Sequence, residues 1–195
     1  MRITTGRLRG RRLHTVPGHD VRPTREHARR ALFDILTHGR PRLVGARFLD
    51  VFAGSGAIGL EAWSRGARRV LLVENAPAAV AVIRRNLHEM PLDGGVELFV
   101  ADATDLPRAP HPFDIAFLDP PYRSGLAVPA LESLHRRGWL VPGARVVVEL
   151  AKTEDLPEVE GYTVEDIRRY GAAKFVFLRY VGDAGQPHGE GDNAA

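Results

Sequence analysis

The sequence predicts an α/β domain with a mostly parallel, seven-stranded sheet that ends in a C-terminal antiparallel hairpin and is preceded by a small N-terminal β-hairpin arm. Two observations lead to this fold class. Short runs rich in branched apolar residues alternate with amphipathic segments, which indicates a parallel sheet covered by helices on both faces. Near the C-terminus, two strand-like runs at 162–170 and 173–181 are separated by two residues, which is hairpin spacing.

The individual elements follow from local patterns along the chain. RITTGRLRGRRLHTV alternates weakly and contains Gly6 and Gly10, so it is predicted to form the arm. The first helix is predicted from an apolar stripe at residues 28, 31, 32, 35 and 36. Further strands are expected at 47–53, 69–74, 96–102, 113–119 and 144–150, and further helices at 57–65, 77–90 and 126–137.

Length and composition fit one ordinary domain with small appendages. We expect an arm at 1–20, a core domain at 21–181 and a disordered tail at 182–195, because the tail has almost no large apolar residue. The chain has no cysteine, which excludes disulfides and thiolate metal sites. No apolar run approaches the roughly 20 residues that a membrane span needs, and no signal peptide is recognisable. We therefore expect a cytoplasmic protein without a metal or a membrane partner.

Charge is distributed unevenly along the chain. Residues 1–47 carry twelve arginines against three acidic residues, whereas residues 48–195 carry fifteen basic and twenty-one acidic residues. A basic arm on a mildly acidic body favours a polyanionic partner such as nucleic acid. The predicted phosphate contacts are Arg7, Arg9, Arg11, Arg12, Arg22, Arg25 and Arg29.

A glycine-rich turn follows the first predicted strand of the core. LDVFAGSGAIGLEA places Gly54, Gly56 and Gly59 in G-x-G-x-x-G spacing between a strand and a helix, the context in which such a turn binds a nucleotide. Glu74 lies 20 residues beyond Gly54, at the end of the second strand, where a carboxylate can hold both hydroxyls of a ribose. The pattern therefore predicts a nucleotide-type cofactor at this corner.

NAD and S-adenosylmethionine both fit this corner, and three features favour S-adenosylmethionine. Asp50, before the glycine turn, could receive the donor's cationic amino group, and Asp102, after the third strand, could accept from the adenine amine. The terminal hairpin distinguishes Rossmann-like class I methyltransferases from dehydrogenases. Asn75 and Ala103, which follow Glu74 and Asp102, complete the expected cofactor contacts.

An unusual corner ends the fourth strand of the core, in FDIAFLDPPYRSG. Two successive prolines stop a strand because they have no N–H for the sheet. The Asp119 carboxylate and the Pro120 carbonyl can accept the two N–H groups of an exocyclic base amine, and Pro121 stiffens the corner. Tyr122 offers a ring on which a flipped or unpaired base can stack. The four residues predict amino methylation of a base without selecting which base.

Residues from about 2 to 181 resemble the RsmD family of bacterial methyltransferases. The resemblance lies in GRLRGRRL, VRPTREHARRALFDIL, LDVFAGSGAIGLEAWSRGA, VENAPAA, DIAFLDPPYRSG and GWLVPGARVVVE. It implies a cytoplasmic, S-adenosylmethionine-dependent enzyme that methylates N2 of one guanine in 16S ribosomal RNA of an assembling 30S subunit. We expect the protein to be a monomer. It also implies that Asp119 to Tyr122 meet the target base and that Gly54, Gly56, Glu74 and Asp102 meet the cofactor.

Three alternatives remain from the residues alone. A DNA amino-methyltransferase could use the same four-residue corner on adenine N6, although the chain has no obvious separate target-recognition domain. A non-catalytic RNA-binding or assembly factor could keep a cofactor pocket, and a small-molecule dehydrogenase would bind NAD instead.

Overall fold

The computed structural model of the protein describes residues 1–17 and 23–182. The elements are α1 Pro23–His38, β1 Arg47–Val51, α2 Ala57–Ser64, β2 Arg69–Glu74, α3 Pro77–His88, β3 Val96–Val100, β4 Phe113–Leu118, α4 Ala127–Arg136, β5 Leu140–Ala151, β6 Tyr162–Tyr170 and β7 Ala173–Tyr180. The predicted boundary at residue 20 and nearly all of the predicted tail lie outside the described residues.

The seven strands form one sheet in the order β3-β2-β1-β4-β5-β7-β6. The strands from β1 to β5 are parallel, and β7 runs antiparallel to both β5 and β6. The predicted fold class, including the terminal antiparallel hairpin, is confirmed. The order reverses between β1 and β4, and the crevice outside the strand ends at such a point is where ligands bind in open α/β sheets.

Strand β5 differs from the prediction because it begins four residues earlier, at Leu140 rather than residue 144. The Pro142-Gly143 pair looks like a turn in the sequence, but the structure places it in an irregular stretch of the strand. Phe113 pairs with Leu140 and Ile115 with Arg145, so β5 contains three more residues than β4 between these two pairs. Proline is tolerated within a sheet at such an irregularity.

Apolar side chains fill both faces of the sheet. Helices α1, α2 and α3 cover one face together with the arm, which contributes Ile3, Leu8 and Leu13 to that core. Helix α4 covers the other face, where Leu131 and Trp139 are buried. The arm is therefore packed into the core rather than extended from it.

The arm forms the expected hairpin, although its ladder is short. Arg2 and Arg12 form an isolated antiparallel bridge. The Ile3 amide donates to the carbonyl of Arg11 over 3.0 Å, and the Gly10 amide donates to the carbonyl of Ile3 over 2.9 Å. The tight turn between them presents further arginines to the surface.

Candidate active site

The glycine loop, residues 52–56 between β1 and α2, contains two glycines with different surroundings. Gly54 has φ +58°, and a Cβ built there would meet nothing within 4 Å, so the loop faces open space at this point. Gly56 has φ +76°, and a Cβ there would lie 3.0 Å from Cδ1 of Leu72. Both positions favour glycine by conformation, but only Gly54 leaves room for a ligand beside the backbone.

Gly59, the third glycine of the motif, is a packing residue. A Cβ at this position in α2 would lie 2.3 Å from Cδ2 of Leu72 and 2.9 Å from Cγ1 of Val70. The absence of a side chain therefore lets α2 approach β2 closely, which holds the loop against the sheet.

Glu74 fastens two loops to each other at the end of β2. Its Oε2 accepts from the amide of Gly54 over 2.8 Å, and its Oε1 accepts from the amides of Asn75 and Ala76, each over 2.9 Å. The residue is 8% exposed. Asn75 is exposed and contributes its backbone amide to this network.

Asp50 requires a correction, because its carboxyl group is enclosed in the protein. The residue is 1% exposed, and its Oδ2 accepts from the amide of Gly59 over 2.8 Å. Burial raises the pKa of Asp50 to about 8, the Gly59 hydrogen bond opposes that rise and the charge of Glu74 adds to it. Asp50 therefore holds α2 in place and cannot touch a ligand without a local rearrangement, contrary to the expected direct contact.

Asp102 and Ala103 lie just beyond β3. Asp102 is exposed, and its Oδ1 accepts from the amide and the hydroxyl of Thr104 over 2.9 and 2.8 Å. These two bonds lower the pKa of the Asp102 carboxyl, so it is ionised at neutral pH. Ala103 is 4% exposed and packs into the core, so only its backbone is available to a ligand.

The Asp119-to-Tyr122 corner lies directly beside the glycine loop. The amide of Asp119 donates to the carbonyl of Val51, the last residue of β1, over 3.2 Å. Asp119 is exposed, and Pro120 is buried. The amide of Ser124 donates to the carbonyl of Pro121 over 3.1 Å, which closes a tight turn after the prolines.

Two glutamates from β5 and the turn after it hold this corner, and the sequence prediction did not include them. The Tyr122 hydroxyl donates to Oε1 of Glu149 over 2.9 Å. The amide of Arg123, which has φ +57°, donates to Oε2 of Glu154 over 3.0 Å. Tyr122 remains 40% exposed, so part of its side chain faces solvent. The one sequence signal for Glu149 is a charge inside the apolar run VVVEL.

The predicted phosphate-binding arginines separate into two groups in the structure. Arg9, Arg11 and Arg12 are exposed on the arm. Arg7 is also at the surface, but its guanidinium lies 4.0 Å from the centroid of the Trp63 ring and donates to the Trp63 carbonyl over 2.8 Å. The first group can meet a polyanion freely, whereas Arg7 also fastens the arm to α2.

Arg29 requires a second correction, because it is 6% exposed and turned towards the arm. Its Nη2 donates to the carbonyl of Arg2 over 3.1 Å, and its Nη1 contacts the sulfur of Met1. Burial lowers the pKa of the Arg29 guanidinium. A phosphate contact is not available to it in this conformation. Arg22 and the side chain of Arg25 lie outside the described residues.

The described parts of the chain contain neither a metal-binding cluster nor a membrane-spanning helix. Within 1–17 and 23–182, no three His, Asp or Glu side chains are grouped so that they could hold a metal ion. In the same ranges, no helix has the length and apolar character that crossing a membrane requires.

The strand order, the antiparallel β7 and the adjacent glycine loop and Asp119 corner are the architecture of a Rossmann-like methyltransferase. A family model described as "Conserved hypothetical protein 95" matches residues 1–179. The chain belongs to that family, the RsmD family, and is a methyltransferase.

Individual relatives agree with this assignment. The chain is 37% identical over 160 residues to Ribosomal RNA small subunit methyltransferase D of Escherichia coli, covering 82% of this chain and 79% of that protein. It is 33% identical over 168 residues to the protein of the same name from Haemophilus influenzae, covering 84% and 86%. The solved structure of yhhF from Escherichia coli is 32% identical with a TM-score of 0.78, covering 94% of this chain and 99% of that one.

Proposed function

We propose that the protein transfers a methyl group from S-adenosylmethionine to the exocyclic N2 amine of a guanine in 16S ribosomal RNA. One observation carries the proposal. The hydrogen bond from the Asp119 amide to the Val51 carbonyl joins the base-binding corner to the strand that leads into the glycine loop. A base held at the corner therefore lies next to a cofactor held at the loop.

The residues around the glycine loop fit the cofactor. The open space over Gly54 admits a ligand against the backbone. The Glu74 carboxylate accepts three amide bonds, and a carboxylate has about four acceptor positions. Glu74 therefore keeps the capacity to accept a hydrogen bond from a ribose hydroxyl. Asp102, which is exposed and ionised, can accept a hydrogen bond from the adenine amine. When bound, S-adenosylmethionine supplies a methyl group attached to a sulfonium.

The corner's own groups suit an amine that is a poor nucleophile. A base amine is delocalised into its ring, and acceptors for its two N–H bonds favour localisation of the lone pair. The Asp119 carboxylate and the Pro120 carbonyl are the two acceptors, and the turn closed by Ser124 limits their movement. Asp119 is exposed, so it can also receive the proton that the amine loses and pass it to solvent.

The choice of RNA as substrate rests on the arm and on the relatives. Arg9, Arg11 and Arg12 are all exposed on the arm, and their guanidinium groups are suited to phosphate contacts. The two relatives above are named for the small ribosomal subunit RNA. The proposal includes action as a monomer, in the cytoplasm, on an assembling 30S subunit.

Tritium transfer tests the proposal. The protein is incubated with tritiated S-adenosylmethionine and, in separate reactions, deproteinised 16S ribosomal RNA, 30S particles and DNA, and the labelled nucleosides are identified. We expect N2-methylguanosine from at least one of the ribosomal substrates. Label found solely on DNA adenine would replace the proposal with a DNA amino-methyltransferase, and label on no substrate would reject it.

The Asp119→Ala variant is the matched control for this experiment. Its side chain is exposed, so the variant should fold and bind S-adenosylhomocysteine nearly as the original chain does. Transfer should nevertheless be lost, because one of the two amine acceptors is missing. Substantial remaining transfer would remove Asp119 from the reaction.

A further inference from the structure

Asn86 in α3 connects the arm to the glycine loop. Its Nδ2 donates to the carbonyl of Ser55, inside the loop, over 2.9 Å and to the carbonyl of His14, on the arm, over 3.1 Å. Its Oδ1 accepts from the amide of His14 over 2.8 Å. One side chain therefore bonds to the backbones of both segments.

The chemistry of the amide group makes this connection specific. A side-chain amide has two N–H donors and one carbonyl oxygen, and all of these are engaged at Asn86 by backbone groups. The residue is 1% exposed, so breaking one of these bonds would leave a buried polar group unsatisfied rather than hydrated. The pairing with both backbone groups of His14 also fixes which end of the amide carries the nitrogen.

Helix α2 is a second, rigid connection between the same two segments. It begins immediately after the glycine loop and ends at Ser64. The Ser64 hydroxyl accepts from the amide of Leu8 over 2.8 Å, and the Ser64 carbonyl accepts from the amide of Arg7 over 2.9 Å. The arm is thus attached at both the far end of α2 and, through Asn86, at the loop itself.

We infer that Asn86 is a positioning residue that couples RNA binding on the arm to cofactor binding on the glycine loop. The inference rests on the proposed function. A ligand that orders one of the two segments reduces the ordering that remains for the ligand of the other, so each ligand strengthens the binding of its partner. Such coupling is reciprocal. It is measured as the affinity ratio, which is the Kd of one ligand without the other divided by its Kd with the other bound, and it does not require a change in the stability of the fold.

Calorimetry measures that ratio directly. The Kd of S-adenosylhomocysteine is measured with and without transcribed 16S ribosomal RNA, and we expect RNA to tighten binding by about fivefold or more. Asn86→Asp keeps the size and the acceptor for the His14 amide but removes both donors. The ratio should then fall clearly, because only the α2 connection remains to carry the coupling free energy. An undiminished ratio in this variant would overturn the inference.

His14→Ala is the matched control. It removes the ring, which contacts Oε2 of Glu89 over 2.8 Å, but keeps both backbone groups that Asn86 uses. The affinity ratio should be unchanged. If it fell as far as in Asn86→Asp, the coupling would need the His14 ring, and the bonds from Asn86 to the His14 backbone would not be sufficient for it.

Hydrogen exchange on the unaltered protein provides a test that does not depend on the folding of a variant. RNA alone should slow amide exchange across Gly54 to Gly56, and S-adenosylhomocysteine alone should slow exchange at His14. If neither ligand slows exchange at the other segment, the inference is contradicted. If the protein transfers methyl groups to RNA but the affinity ratio is 1, the coupling is rejected and the proposed function stands. If the protein shows no methyl transfer and no RNA binding, both proposals are rejected.

Discussion

The Tyr122 hydroxyl and the Glu149 carboxylate form a 2.9 Å hydrogen bond that restricts the orientation of the aromatic ring in the Asp119-to-Tyr122 corner. Tyr122→Phe keeps the ring and removes the bond, whereas Tyr122→Ala removes both. Because stacking of a base on an aromatic ring contributes about 1–3 kcal/mol, we expect Tyr122→Ala to lower kcat/KM for RNA by roughly 5–150-fold. The phenylalanine variant should show a distinctly smaller decrease.

Steady-state transfer assays on both variants and on Glu149→Gln check this expectation. Glu149→Gln keeps an acceptor for the Tyr122 hydroxyl, so its kcat/KM should be equal to or higher than that of Tyr122→Phe. Equal decreases for the alanine and phenylalanine variants would show that the hydroxyl, and not the ring, is the group that matters.

Gly54 and Gly59 should respond differently to alanine. A Cβ at Gly59 would lie within 2.3 Å of Leu72, so Gly59→Ala should lower the melting temperature clearly. A Cβ at Gly54 meets nothing within 4 Å, so Gly54→Ala carries only the strain of its φ of +58°, about 1 kcal/mol. Its methyl group would occupy the space that we propose for the cofactor.

Thermal unfolding and calorimetry with S-adenosylhomocysteine separate these two effects. Gly54→Ala should keep most of its stability and show a large decrease in cofactor affinity. Unchanged cofactor binding in that folded variant would place the ligand elsewhere.

The buried Asp50 predicts a pH dependence of stability. Burial raises its pKa to about 8 from the ordinary 3.8, with the Gly59 bond opposing and Glu74 assisting. Between those pH values the unfolded chain has released a proton that the folded chain keeps. The contribution of Asp50 to the free energy of unfolding therefore falls as pH rises and is constant above about pH 8. Asp50→Asn keeps an acceptor for the Gly59 amide and does not ionise.

The melting temperatures of the two proteins across pH check this prediction. The stability of Asp50→Asn relative to the original chain should increase from about pH 4 to about pH 8. A difference that stays constant over this range would mean that the Asp50 carboxyl ionises in the folded protein as it does in the unfolded chain.

The arm arginines should divide into binding and structural groups. The combined Arg9→Ala, Arg11→Ala and Arg12→Ala change should weaken RNA binding and reduce its dependence on salt. The logarithmic salt slope should decrease by about one unit for each phosphate that the arm no longer neutralises. Stability should change little, because all three residues are exposed. Filter binding across a salt series measures the slope.

Arg7→Ala is the contrasting variant. It removes the interaction with the Trp63 ring and a hydrogen bond, together about 1–2.5 kcal/mol of unfolding free energy. A lower melting temperature is expected. If the triple variant left the salt slope unaltered, the arm would not be part of the RNA interface.

The parts of the site that follow a strand directly could be predicted from the sequence. Residues 54, 74, 102 and 119 each lie within a few positions of a strand end, and parallel strands bring their carboxyl ends to one edge of the sheet. Their neighbourhood was therefore predictable from strand order alone. The enclosure of Asp50 was not predictable, because burial depends on how closely α2 approaches the sheet.

The residues that the sequence did not reveal all have partners far along the chain. Glu149 meets Tyr122 across 27 positions, and Asn86 meets His14 across 72. Asn86 follows Ile83 by three positions and so lies on the buried stripe of α3, which is a signal that a polar residue there has a partner. Nothing local identifies that partner. The burial of Arg29 was missed for the same reason, since the arm that covers it is distant in sequence.

The single bond between the Asp119 amide and the Val51 carbonyl has a consequence for how such an enzyme can change its target. The separation of the two binding halves is set by the spacing of neighbouring strands, about 4.8 Å, and not by any loop. Insertions in the arm can therefore alter which nucleic acid is recruited while the strand ends that carry the two halves keep their spacing. In the proposed enzyme, the spacing of base and cofactor is a property of the sheet, and the arm, attached through Asn86 and α2, adjusts binding rather than spacing.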